Sequence, residues 1–252
     1  MTNPWHVALM VPINNTTMEG EQRAGLPPGT RVTTLKIPRG QGLLTRETIP
    51  AYKKQAIELA ATLAGQPIDM LAYGCTAASF LSGPVGDAEL ARELAQVVGK
   101  PVITTAQAMV LALKAAQVRR IALVTPYQDV VNDQLKLFLT EGGIEVAAFD
   151  SLYANTVDEL AQLTADDVAR MARATMRQDC DALFIACSQL PTFDILDELS
   201  TEFARPVLSS IQATAWRVRQ VLTAVDIPAP LVIPAPLAIP APSVIPAQAG
   251  IQ

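Results

Sequence analysis

The second half of this chain repeats the first. VALMVP at 7–12 matches IALVTP at 121–126, DMLAYGC at 69–75 matches DALFIAC at 181–187, and KPVITTAQA at 100–108 matches RPVLSSIQA at 205–213. The offsets are 114, 112 and 105 residues, so the register drifts slowly. A generic buried strand accounts for shared Val, Ile and Leu. It does not account for the shared Asp, Cys, Pro and Gln, and duplication does. Between the matched segments, short apolar runs alternate with longer stretches of helical spacing. Strands are expected at 6–12, 31–37, 69–73, 101–104, 120–125, 145–149, 181–186 and 206–209. Helices are expected at 47–63, 87–98, 106–116, 130–141, 164–178, 193–203 and 211–222, the fifth opening on a Thr-Ala-Asp-Asp cap. Continuous apolar strands separated by helices imply parallel sheets covered on both faces.

The expected fold is therefore α/β. It has two similar Rossmann-like parallel-sheet halves about a pseudo-twofold axis, with a ligand site in the cleft between them. Residues 1–115 form the first half, completed by a return at about 206–222, and 116–205 form the second. Residues 223–252 differ in kind. Isoleucine recurs there every six residues, at Ile227, Ile233, Ile239 and Ile245, amid Pro and Ala. That composition excludes helix and central strand and implies an extended, polyproline-like tail. Such a tail reads as an appendage or as a recognition segment.

The repeat fixes where chemistry can sit. Ligands of parallel sheets bind beyond the carboxyl ends of the strands. Cys75 and Cys187 both stand at such ends, so a twofold relation makes them face each other. If helices start after them, at Cys75-Thr76 and Cys187-Ser188, free N–H groups point into the cleft, bind a carboxylate and lower the thiol pKa. Two opposed thiols can racemise a carbon, isomerise an activated double bond by addition, or protonate an enolate after decarboxylation. All three reactions need donors aimed at developing negative charge and none needs a cofactor. Buried cysteines are also commonly inert, and packing is the competing account of each one taken singly. Cys180 lacks the motif and reads as structural. Asn14, Asn15, Thr16 and Thr17 after the first strand, Tyr127 after the fifth, and Asn155 are further donors. Turn and capping chemistry suits the Asn and Thr residues equally well.

Composition removes other classes. The chain has 252 residues, a net charge of −5 and 17% charged residues, which argues against a nucleic-acid partner. One histidine, His6, and three scattered cysteines make neither a zinc site nor a Ser–His–Asp triad plausible. No basic-then-apolar leader and no spanning run are evident, and the expected setting is cytoplasmic with free thiols, away from membranes.

The residues resemble a known group. VPINNTTME at 11–19 resembles the N-terminal motif of maleate cis–trans isomerases. Gly74-Cys75-Thr76 and Ala186-Cys187-Ser188 resemble the two cysteine loops of the aspartate/glutamate racemase superfamily, and Thr125-Pro126-Tyr127 its tyrosine segment. The resemblance spans about residues 6–222. It implies a cofactor-independent isomerase of a small dicarboxylate, with Cys75 the nucleophile that forms a covalent adduct and Cys187 its acid/base partner. Asn15, Thr76, Tyr127, Asn155 and Ser188 would bind substrate, and relatives imply a homodimer. Residues 127–132 and 190–194 look equally like arylmalonate decarboxylases, which keep the second cysteine and place glycine at the first. A racemase of amino acids or hydantoins, or a carboxylate-binding protein without catalysis, fits the same donors.

Overall fold

A computed structural model describes residues 5–39 and 42–223 of the protein; the Pro/Ala-rich tail lies outside the described residues. Four parallel strands form the first sheet: β1 (His6–Pro12), β2 (Arg31–Ile37), β3 (Met70–Tyr73) and β4 (Val102–Thr104), in the order β2-β1-β3-β4. The second sheet contains β5 (Arg120–Thr125), β6 (Glu145–Ser151), β7 (Ala182–Ile185) and β8 (Val207–Ser209), in the order β6-β5-β7-β8. Adding four to each strand of the first order gives the second, so the two halves share one topology. The inner strands β3 and β7 are buried at every residue, which is why they read as unbroken apolar runs. The helices are α1 (Met18–Ala24), α2 (Ile49–Ala60), α3 (Thr76–Phe80), α4 (Gly83–Val98), α5 (Thr105–Ala115), α6 (Asp129–Glu141), α7 (Val157–Gln162), α8 (Ala165–Thr175), α9 (Phe193–Phe203) and α10 (Ser210–Thr223).

The polar residues shared by the repeat turn out to be junction chemistry. Asp69 accepts the His6 N–H at the start of β1 at 2.6 Å, and Asp181 accepts the Arg119 and Arg120 N–H groups at the start of β5, both at 2.9 Å. The carbonyls of Pro101 and Pro206 accept the N–H groups of Leu71 and Leu183 at 2.9 and 3.0 Å. Thr104 and Ser209 close β4 and β8, and their hydroxyls accept the N–H groups of Gln107 and Gln212, starting α5 and α10.

The same two helices pack across the pseudo-twofold axis. Thr105 and Thr214 hydroxyls meet at 3.1 Å, and the Ser210 hydroxyl meets the Met109 sulfur at 3.2 Å. In the repeat, Thr105 corresponds to Ser210 and Met109 to Thr214. Exchanging the halves therefore turns each contact into the other, as in an isologous interface.

Several boundaries differ from expectation. Val207–Ser209 pair with β7, so they belong to the second sheet, and only α10 crosses back. Its Ile211, Val218 and Leu222 pack against Val7, Leu9, Val11 and Met70 of the first sheet. Helix α4 starts before Asp87, with Pro84 in its first turn, where a missing N–H costs nothing. Helices α1 and α7 are too short to show a period in sequence. The expected Thr164 cap is present as a full capping box with Asp167. Replacing Ser209 by Ala removes the α10 cap at the joint between halves, and urea unfolding should show a loss of about 1–2 kcal/mol with the fold retained.

Candidate active site

Both strand ends carry their cysteines into the interior between the halves. The Gly74 N–H donates to the Met10 carbonyl at 2.7 Å, and the Ala186 N–H to the Val124 carbonyl at 2.8 Å, so the two loops leave their sheets in the same way. Cys75 and Cys187 are buried free thiols. Glycine at 74 suits a close approach: a β-carbon there would lie 2.6 Å from the Met18 sulfur and 3.0 Å from the Met10 carbonyl, so those neighbours would have to shift. After Cys75 the chain turns into α3, for which Cys75 is the N-cap. After Cys187 it forms turns, and α9 starts only at Phe193, so the second expected helix start is absent.

Four hydroxyls surround the thiols. Those of Tyr52, Tyr73, Thr76 and Tyr127 are all buried and make no well-formed hydrogen bond, although Tyr52 stands beside the Cys75 thiol and Tyr127 beside the Cys187 thiol. The Tyr127 hydroxyl faces Cys187, Thr76 and Cys75, and its ring is braced edge-on by Phe80 at 5.7 Å. The Tyr52 hydroxyl lies beside the Cys75 sulfur. Leaving a buried hydroxyl without a well-formed hydrogen bond costs about 1–3 kcal/mol, so four of them beside two thiols are the feature of this site that packing alone does not explain.

Burial pushes the Cys75 thiol up to about 11, against the opposing pull of the Ala78 N–H and the Tyr52 hydroxyl; the nearby Cys187 raises it further and Arg39 lowers it. Burial also raises Cys187, against the Tyr127 hydroxyl and the N–H groups of Gln189 and Leu190. The expectation of thiols acidified by helix starts is therefore corrected. The N–H groups are present, but desolvation of the charged sulfur outweighs them.

The family model for arylmalonate decarboxylase matches residues 38–229. The chain belongs to this family. An arylmalonate decarboxylase of Bordetella bronchiseptica is 31% identical over 70% of this chain and 75% of its own length. A maleate isomerase of Geobacillus stearothermophilus is 28% identical over 88% of this chain and 93% of its own. The fold matches that of a Nocardia farcinica maleate cis–trans isomerase variant holding a covalently bound succinylcysteine intermediate, with a TM-score of 0.81 at 24% identity over 87% and 93% of the two chains. The protein thus lies in the maleate isomerase/arylmalonate decarboxylase branch.

Within this family member, the N-terminal motif forms a clasp on the second cysteine loop. Asn15 Nδ2 donates to the Ser188 carbonyl at 2.8 Å, and the Thr17 hydroxyl to the Gln189 carbonyl at 2.8 Å. The Gln189 amide accepts from the Thr16 N–H at 3.0 Å and donates to the Thr16 hydroxyl at 2.9 Å. Glu21 accepts from Thr192 N–H at 2.6 Å, Thr192 Oγ1 at 2.8 Å and Phe193 N–H at 3.2 Å, which caps α9 from the other half. The structure thus brings Cys75, Cys187, Thr76 and Tyr127 together and places Asn15 and Ser188 in the wall. Asn15 also caps α1, its Oδ1 accepting the Thr17 and Met18 N–H groups. Asn155 is the exception. It is exposed, its N–H and side-chain amide both donate to Glu159 in the first turn of α7, and it accepts from Gln128.

Sequence reasoning missed Tyr52, Gln189 and Glu21. Tyr52 sits on the apolar stripe of α2 and reads as core; its phenol was the only signal. With both thiols held un-ionised, iodoacetamide should modify Cys75 slowly at pH 7, and the rate should rise about tenfold per pH unit from pH 8 to 10. Peptide mass against time measures this; a plateau below pH 8 would reveal a preformed thiolate instead.

Proposed function

We propose that the protein interconverts maleate and fumarate by reversible addition of the Cys75 thiol to the double bond. The observation that supports this reading best is the set of unpaired buried hydroxyls around two thiols. A dicarboxylate supplies the oxygen acceptors that these donors lack, and an alkene between its carboxylates supplies the electrophile.

The Cys75 sulfur forms a bond to one alkene carbon, and the π electrons move toward the neighbouring carboxylate. Donors such as Tyr127 and Thr76 stabilise the enediolate charge that develops there. Cys187 gives its proton to the second carbon, and the proton that Cys75 loses replaces it. One proton thus remains on Cys187 while the adduct exists. The former double bond is now single and rotates. Cys187 then passes its proton to the departing Cys75 sulfur as it takes the carbon-bound proton, the C–S bond breaks, the electron pair re-forms the double bond, and fumarate leaves with both thiols restored. The high Cys75 pKa suits this cycle, because the thiol loses its proton only as the new bond forms, and no cofactor enters any step.

Incubation of the Cys187→Ser variant with maleate should add the mass of one maleate to Cys75. Cys75→Ala and Cys187→Ala should each lower turnover at least about a thousandfold, measured by loss of the maleate vinyl signal. Unchanged turnover in both would sink the thiol mechanism. A second reading, decarboxylation of an arylmalonate with Cys187 as proton donor, is favoured by the 31% identical relative. Release of CO₂ from phenylmalonate, with no reaction of maleate, would establish it.

A further inference from the structure

The loop that leaves β2 carries a cation to the Cys75 side of the site. The Ile37 carbonyl, at the last residue of β2, accepts the Ile13 N–H at 2.9 Å, so Pro38 and Arg39 leave the sheet level with the N-terminal motif. Further along the loop, Leu44 is buried and Leu43 packs beside it, in the same apolar cluster that holds Tyr52, Tyr73, Phe80 and Cys75. Helix α2 follows and brings Tyr52 to the Cys75 sulfur. Arg39 is partly buried between these anchor points, and its positive charge is felt at two groups of the site, Tyr52 and Cys75.

The neighbouring cations are committed elsewhere. Lys36 donates to the Asn15 carbonyl, Lys53 pairs with Glu93 at 2.7 Å, Lys54 pairs with Glu58 at 3.8 Å, and Arg46 lies by Glu47. Arg39 makes no ion pair among the described residues. One of its nitrogens donates to the Gly42 carbonyl within its own loop. A guanidinium carries several further N–H donors in a planar fork that fits a carboxylate. The two thiols and four hydroxyls of the site are neutral. A dicarboxylate brings two charges, and withdrawing both from water against neutral donors alone is costly. A partly buried cation offsets one of them and draws anions toward the site.

We propose that Arg39 is a specificity-determining residue: it holds the substrate carboxylate nearer Cys75 and sets a preference for dianions over monoanions. The inference deepens the proposed function and rests on the site holding a dicarboxylate. Its test reads ligand binding at Cys75 rather than turnover.

The test follows carboxamidomethylation of Cys75 in the full chain by peptide mass, with succinate or monomethyl succinate present. Both probes lack the double bond, so neither can accept the thiol. Protection is the ratio of rates without and with probe, so any change that a substitution makes to the thiol itself cancels. Succinate should protect the unaltered protein at a concentration at least about tenfold below that of the monoester, the size of one charge-assisted contact. Arg39→Gln keeps a donor for the Gly42 carbonyl and loses the charge. It should weaken succinate by about tenfold, leave the monoester within about twofold, and so erase the preference. Arg39→Lys keeps the charge without the fork and should fall between. Added KCl should weaken succinate more in the unaltered protein than in the Gln variant. An equal loss of both probes in Arg39→Gln would show only a loop-folding part and would overturn the proposal. So would unchanged protection in that variant, or succinate that does not protect the unaltered protein at all. If maleate is not isomerised while succinate protection still depends on Arg39, the isomerase reading fails and this inference stands.

Discussion

Four residues from the first half hold the second cysteine loop: Asn15, Thr16, Thr17 and Glu21. Nothing in the second half alone could do this. The Cys187 loop has no helix behind it until Phe193, so its carbonyls and N–H groups would otherwise be buried without partners. The Ser188 and Gln189 carbonyls and the Thr192 and Phe193 N–H groups all find partners across the cleft. The site is thus assembled only when the halves dock, and the motif between β1 and α1 is what docks them at the catalytic end. Beside this clasp, the first turns of α5 and α10 hold the same pseudo-twofold relation through Thr105, Thr214, Ser210 and Met109, with Thr105 also donating to the Tyr73 carbonyl. Glu21 carries a cost in this arrangement. Burial raises its carboxyl, and the three hydrogen bonds from Thr192 and Phe193 offset that.

Duplication gives two equivalent strand ends, but the site is not symmetric. The difference arises one residue later. Thr76 continues as helix, so Cys75 stands at an N-terminus with the Ala78 N–H turned to its sulfur. Ser188 and Gln189 form a turn, and the Gln189 N–H reaches the Cys187 sulfur at 3.4 Å. Each half supplies a phenol to one thiol: Tyr52 from the first half to Cys75, and Tyr127 from the second to Cys187. The two thiols therefore share a common burial but differ in who solvates their charge.

The repeat made the α/β architecture and the equivalence of the two strand ends readable from sequence, because Asp69 and Asp181, Pro101 and Pro206, and Thr104 and Ser209 do the same backbone work in each half. These are local contacts with fixed spacing, the kind sequence displays. Tyr127 and Thr76 were readable for the same reason, as neighbours of a strand end. The clasp was not. Its partners are separated by more than 170 residues, and Asn, Thr and Glu there look like ordinary caps. Asn15 does cap α1, so the capping account and the docking account are both true of one side chain. Asn155 differs in the opposite sense: Glu159 four residues on takes its donors, and its own side chain is exposed.

The pKa of the thiols shows how far sequence patterns of this kind can mislead when read without burial. A cysteine at a helix start suggests an acidic, reactive thiolate. Here the same N–H group is present and the thiol is nonetheless driven up, because burial strips water from the sulfur. Two neutral thiols facing buried hydroxyls present only donors. Under the proposed isomerisation, negative charge would arrive with the substrate and the thiol proton would move only as carbon accepts sulfur. The buried hydroxyls and the thiols held neutral are in this sense one feature: polar groups withdrawn from water around a single pair of sulfurs.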